Sequence, residues 1–329
     1  MSDDLRAIGD ACWISFKAGD WQRAIADCKA TPVADDVIYI ATRGVIGNVT
    51  AIRTGEGLVV FDTGSVTAAP KIYERLRAWD QSPIHTIIFT HGHVDHVMGA
   101  PLFAAEADKR GEPPIRFIAQ RNMPARFARY VATAGFNSNI NGRQFGVPGF
   151  KWPTDYRQPD LTYDEQLTID VGGLRIELNH GMGETDDHTW GWIAQRKLIV
   201  SGDFVIWAAP NCGNPQKVQR YCKPWADSFR SMAARRADAL VPGHGPAIFG
   251  AERVSQLLTD GARLLDSIHD QTLALMNSGK RWMRSYRASR CLPTCWLVPI
   301  SNRPMTILNF SSATSGGSMV AGGTAIRRI

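Results

Sequence analysis

Apolar positions in this chain come in short runs with two rhythms. VIYIAT (37–42), NVTAIRT (48–54) and LVVFDTG (58–64) are β-branched runs broken by Gly, and they predict strands. Residues 68–79 predict a helix, and HTIIFTH (85–91) an apolar strand after it. A strand at 115–119 and a helix near 123–134 continue the alternation. The stretch 135–160 is rich in Gly, Asn and Pro and reads as a long surface loop, of the kind that borders sites. Strands follow at 166–170, 173–179, 189–194 and 197–201. Then come a helix near 215–235, a short strand at 239–241 and a long helix over 251–278. Residues 1–35, with Trp13, Phe16 and Trp21, predict a helical leader packed on the main body. Hairpin-like strands mixed with helices, without a strict βαβ repeat, point to a layered α/β sandwich.

Composition agrees with a globular chain: 44% of the 329 residues are apolar and 21% charged. The formal charge of +6 suggests a basic protein until it is split along the chain. Residues 281–329 hold seven of the 37 basic residues and no Asp or Glu. The first 280 residues therefore carry 30 basic and 31 acidic groups, a net of −1, and give no electrostatic reason to expect nucleic acid. No apolar run reaches the roughly 18 residues of a membrane span. The start, MSDDLRAIGD, lacks the basic and apolar regions of a signal peptide. Six Cys (12, 28, 212, 222, 291, 295) form no CxxC pair and no framework spacing, so the expectation is a reduced, cytoplasmic setting.

The strongest chemical signal is Thr90-His91-Gly92-His93-Val94-Asp95-His96, directly after an apolar strand. Three of the eight His in the chain and one carboxylate fall within six residues, which is hard to explain as a solvated loop. Alternation places His91 and His93 on one side of an extended loop, with Asp95 and His96 opening the next turn toward a second ion. Imidazole and carboxylate donors suit zinc, and also accept iron or manganese.

The HxHxDH pattern resembles the signature of the metallo-β-lactamase superfamily, over roughly residues 36–250. That resemblance implies the four-layer αββα sandwich, an α/β fold. It implies Asp203, in LIVSGDF, as a carboxylate bridging two ions and His244, in LVPGHGP, as the last histidine ligand. Asp62, in VVFDTGS, matches an aspartate that supports the metal loop. Where the family usually has a histidine, in a turn 19 residues before the bridging Asp, this chain has Glu184. His180, Glu184 and His188 are all candidates for the third ligand; register favours Glu184, and a Glu here is similar to the alkylsulfatase branch. The segment IHDQTLALMN (268–277) also resembles the start of that branch's dimerisation segment.

The implied site has His91, His93 and Glu184 on one ion, Asp95, His96 and His244 on the other, and Asp203 between them. The expected function is metal-dependent hydrolysis of a small ester-type substrate, with an alkyl sulfate as one candidate and a thioester or lactone as the alternative. A catalytically silent metal-binding protein is the reading from outside enzymes. Two divalent ions polarise such a substrate and lower the pKa of a shared water from 15.7 to about 7, giving hydroxide at neutral pH. Asp95 and Asp203 are the carboxylates closest to that chemistry. Past Asp203, the residues Asn211, Asn214, Gln216, Lys217 and Arg220 form a polar, cationic stretch suited to an anion. Asn211 fits the branch's sulfate-binding Asn, whereas its Arg position falls on Gln216. Phe204 and Trp207 read either as core or as the wall of an alkyl channel.

From Lys280 onward the pattern breaks down into Arg-rich and then small, low-complexity text. A basic binding arm is one reading. The favoured one is a reading-frame shift, because the codons read one base out of register permit helical, acid-containing text ending in a GWxDGNP-like motif. The organisation expected is thus a leader (1–35), the metal domain (36–250), the start of a dimerisation helix (251–279) and an altered tail (280–329). The apolar face of the long helix (Val254, Leu257, Leu258, Leu264, Leu265, Ile268) would then lack its usual partner unless it folds back, and a homodimer would be weakened.

Overall fold

The structure, a computed structural model, describes residues 5–14, 28–42, 47–212 and 218–279. Among these, strands β1 (Lys29–Ala34), β2 (Val37–Ala41), β3 (Val49–Thr54), β4 (Gly57–Phe61), β5 (Ile84–Ile88), β6 (Arg116–Gln120) and β7 (Leu161–Tyr163) form one sheet in sequence order. The first four pair antiparallel, and β4 through β7 pair parallel. A second sheet has the order β13-β12-β11-β10-β9-β8. Its strands are β8 (Gln166–Val171), β9 (Leu174–Gly181), β10 (His188–Ile193), β11 (Leu198–Gly202), β12 (Ala239–Pro242) and β13 (Ile248–Phe249). Only β11 and β12 run parallel in it.

The alternation of side chains explains the layers. In β2 and β4, Val37, Tyr39, Ala41, Val59 and Phe61 face the second sheet, where they meet Ile176, Leu178, Trp190 and Trp192. The residues between them, Ile38, Ile40, Leu58 and Val60, pack outward onto helices α2 (Ala69–Trp79), α4 (Ala100–Lys109) and α5 (Met123–Ala132) through Ile72, Leu76, Phe103 and Phe127. Strands buried on both faces read as continuous apolar runs, and two such sheets between helices give an αββα sandwich. Helix α7 (Cys222–Ala234) and the long helix α8 (Ala251–Asn277) cover the second sheet, with Trp225, Phe229, Leu258 and Leu265 in the same core.

The structure corrects three sequence expectations and decides a fourth that was left open. Residues 29–34 are strand β1 on the edge of the first sheet, not leader; the leader's helix is α1 (Leu5–Ile14), with Leu5 and Cys12 in the core and Arg6 over the Phe249 ring at 4.5 Å. The stretch read as loop at 135–160 begins with helix α6 (Ala134–Phe145). Its polar side chains bond back along the helix, Ser138 Oγ to Ala134 O (2.7 Å) and Asn141 Nδ2 to Asn137 O (2.8 Å), and left-handed Gly146 ends it. Helix α7 starts at Cys222, well after 215, with Pro224 in its first turn, where the missing N–H costs little. The apolar face of α8 folds back onto α7 and the sandwich: Val254, Leu257, Leu258, Leu264, Leu265 and Ile268 are buried. Phe16, Trp21 and the whole of 280–329 lie outside the described residues.

Candidate metal centre

The chain leaves β5 directly into the histidine-rich loop, and Asp62, just past β4, anchors it. Its Oδ1 accepts the Thr90 N–H at 2.7 Å, and its Oδ2 accepts the Thr90 hydroxyl at 2.7 Å. Asp62 has a left-handed backbone, φ 62°, an uncommon conformation that aims its carboxylate under the loop. Oδ2 also lies 2.7 Å from His96 Nδ1, which fixes that ring with Nε2 pointing inward. A single helical turn, α3 (Val94–Val97), places Asp95 and His96 there together.

Two ligand-bearing groups result among the described residues. In each, one donor atom per residue lies within 4.8 Å of the others: His91, His93, Glu184 and Asp203 in the first, and Asp95, His96 and His244 in the second. Asp203, at the end of β11, faces both. Its Oδ2 is 3.6 Å from His91 Nε2, and its Oδ1 is 3.2 Å from His96 Nε2 and 3.3 Å from His244 Nε2. His244 reaches this point because β12 runs parallel to β11, so both strands release their chains at the same edge. Asp95 Oδ2 closes the second group, 3.4 Å from His96 Nε2 and 3.3 Å from His244 Nε2.

The electrostatics divide the centre. Burial, joined by neighbouring imidazoles, holds His91 well below the usual histidine range, and burial holds His93 there too. Asp203 and Asp95 overcome the burial that would lower His96 and His244; they raise His96 well above its usual range and His244 to about 10. Burial opposes ionisation of Asp95 and Asp203, yet the imidazoles keep both below the carboxylate range. Burial, helped by Asp203 and opposed by Arg220, lifts Glu184 to about 7. Asp203 Oδ1 is fully buried without a hydrogen-bond partner. A buried carboxylate oxygen with imidazole nitrogens and carboxylates around it but no well-formed hydrogen bond fits divalent metal ions.

The other expected residues fall outside these two groups. His180 bonds through Nε2 to Asp186 O at 3.0 Å. His188 is fully buried beneath the loop, stacked on His91 at 4.5 Å between ring centroids and tilted against Phe204 at 4.3 Å. Burial drives His188 down to about 3, so it packs as a neutral ring. Arg220 ion-pairs with Glu184 and donates from Nη1 to Asn211 O at 3.0 Å. Phe204 and Trp207 are core, the Trp207 indole donating to Pro246 O at 2.6 Å. Asn214, Gln216 and Lys217 lie outside the described residues.

Arg126 and Asp187 escaped the sequence reading. Asp187, fully buried, accepts the Gly92 N–H through Oδ2 at 3.0 Å, and its Oδ1 is 2.8 Å from Arg126 Nε. Arg126, on α5, also pairs with Asp186. A Cβ on Gly92 would lie 2.7 Å from Arg126 Cδ and 3.0 Å from Asp187 Oδ2, so the missing side chain lets this ion pair press against the histidine loop. The pair thus ties the loop bearing His91 and His93 to the turn bearing Glu184. The only hint in the sequence was the acidic pair Asp186-Asp187, separated from Glu184 by Thr185. Breaking a buried ion pair from one side costs about 3–5 kcal/mol. Arg126→Met is expected to lower stability by about that much in urea unfolding, and Arg126→Lys by distinctly less; equal losses would mean that charge is not what matters.

Residues 42–244 match the family model described as the metallo-beta-lactamase superfamily. The chain belongs to that superfamily. Its curated relatives include a linear primary-alkylsulfatase of Pseudomonas sp., 26% identical over 69% of this chain and 47% of that protein. An alkyl/aryl-sulfatase of Saccharomyces cerevisiae is 27% identical over 75% of this chain and 42% of that protein. A solved stereoselective inverting sec-alkylsulfatase from Pseudomonas sp. superposes with a TM-score of 0.72 at 20% identity, over 92% of this chain and 53% of that one, a likeness of fold. The chain spans about half the length of these relatives. Within the superfamily its curated matches include alkylsulfatases, to which the chain is similar. No helix among the described residues is long and apolar enough to cross a membrane.

Proposed function

We propose that this superfamily member is a hydrolase with two divalent ions, zinc being the favoured metal, acting on an ester-type substrate and best on an alkyl sulfate. The observation that carries the reading is Asp203 turning one carboxylate oxygen toward each ligand group. His91, His93 and Glu184 would hold one ion, Asp95, His96 and His244 the other, with Asp203 shared. Ions so held supply Lewis-acid polarisation of the substrate oxygen and lower the pKa of water to about 7. The chain's own part is geometric and electrostatic. Asp62 fixes the His96 ring, the Arg126–Asp187 pair fixes the loop carrying His91 and His93, and His188 and Phe204 keep water out from below. The sulfatase names of the relatives favour a sulfate over a neutral ester.

Metal analysis with a substrate panel tests this. About two equivalents of metal and chelator-sensitive turnover of alkyl sulfates are expected. Turnover confined to thioesters or lactones would replace the substrate class. Metal bound without turnover of any panel member would make the chain a silent metal-binding protein.

A further inference from the structure

Cys212 and Cys222, ten positions apart, come together in the fold. Their Sγ atoms are 3.1 Å apart, closer than ordinary contact between two sulfurs. Both are thiols and both are buried, with exposures of 2% and 7%. Cys222 opens α7, where its thiol donates to Leu265 O on α8 at 3.2 Å. Cys212 directly follows Asn211, whose carbonyl accepts Arg220 Nη1 at 3.0 Å, and Arg220 lies two residues before Cys222. The thiol pair and the Arg220–Asn211 bond therefore join the same two stretches of backbone, beside the ion pair that Arg220 makes with Glu184.

We propose that Cys212 and Cys222 are an oxidation site, forming a reversible disulfide that holds Arg220 against Glu184. The oxidant is a small peroxide. One thiol takes an oxygen from hydrogen peroxide, becoming a sulfenic acid as the O–O bond breaks and one water leaves. The second sulfur then attacks the sulfenic sulfur, the S–S bond forms and a second water leaves. Overall the two thiols give up two hydrogens, and hydrogen peroxide is reduced to two waters. Burial shapes the outcome. It keeps bulky thiols and other protein chains from the two sulfurs, so an intramolecular partner at contact distance wins over mixed disulfides. Short sequence separation keeps the loop-closure cost low. The linked form fixes the stretch that carries Arg220 to the one whose Asn211 carbonyl it bonds, leaving the guanidinium on the carboxylate that a metal ion would need.

The test separates this proposal from the hydrolase reading, because mass and metal affinity report it without turnover. The full chain is treated with hydrogen peroxide, unfolded, alkylated and digested. A cross-linked peptide pair containing residues 212 and 222, lighter by two hydrogens and cleaved by dithiothreitol, is the expected product. Cys222→Ser should abolish it and leave Cys212 open to alkylation after unfolding. Both positions alkylated after peroxide, or either linked to Cys12, Cys28, Cys291 or Cys295 instead, would overturn the assignment. Zinc titration of the oxidised and reduced chain reads the second half of the proposal. Several-fold weaker binding in the oxidised form is expected, and equal affinity would overturn the hold on Glu184.

Discussion

Asp203→Ala is expected to disable both halves of the metal centre at once and to bring hydrolysis down to the background rate. The reason is geometric. His91 sees Asp203 through Oδ2, while His96 and His244 see it through Oδ1, so one side chain serves both groups. Its loss also removes the charge that opposes burial at His96 and His244. Even an outer partner of a ligand is worth about 10–100-fold in metal affinity, which sets the floor for a residue inside both groups. His93→Ala should behave differently: it touches only the first group, so one ion is lost and the other retained, while activity still falls to background. Metal counting on the two variants separates these outcomes. An Asp203→Ala protein that keeps both ions would refute the shared role, and an active His93→Ala protein would refute the first group.

Much of this centre was legible in the sequence because its residue types are rare and each follows an apolar strand. The His91–His96 cluster stood out by composition, the family resemblance pointed to Asp203 and His244 after later strands, and the structure gathers them at one edge of the sandwich. Register favoured Glu184 among three candidates, and in the fold its carboxylate groups with His91 and His93, whereas His188 stacks on His91 outside that ligand group. What the sequence hid depends on contacts between distant elements. The Arg126–Asp187 pair joins α5 to a turn some sixty residues away, and only the acidic pair at 186–187 hints at it. Cys212 and Cys222 looked scattered because their proximity arises from the approach to α7. Arg220 read as a free cation for an anion, whereas in the fold its charge is matched to Glu184. Helix α6 was missed for a different reason: its Asn, Ser and Gly content favours loops locally, and side-chain bonds to the preceding turn decide the outcome.

Metal uptake should release protons, and affinity should climb steeply with pH. His96 is held well above the usual histidine range and His244 at about 10, so in the apoprotein both imidazoles keep protons at neutral pH that a metal ion must displace. Glu184, at about 7, adds a further proton on the acid side of neutrality. Each proton released makes affinity rise about tenfold per pH unit, so two make it rise about a hundredfold. Stability of the apoprotein should move the opposite way. A histidine raised in the folded state contributes its full stability below about 6.5, the unfolded value, and loses it as pH rises toward the folded value. Asp95 and Asp203, depressed by the imidazoles, contribute above the ordinary carboxylate range and lose it on acidification. His91, His93 and His188, held neutral by burial, cost stability below about 6.5, so the apoprotein should be most stable near that pH and weaken toward pH 10, where zinc binds best. Calorimetric zinc titrations in buffers of different ionisation enthalpy, with urea unfolding of the apoprotein across the same range, measure both trends. A binding heat independent of buffer, together with pH-independent affinity, would show that His96 and His244 are already neutral before metal arrives.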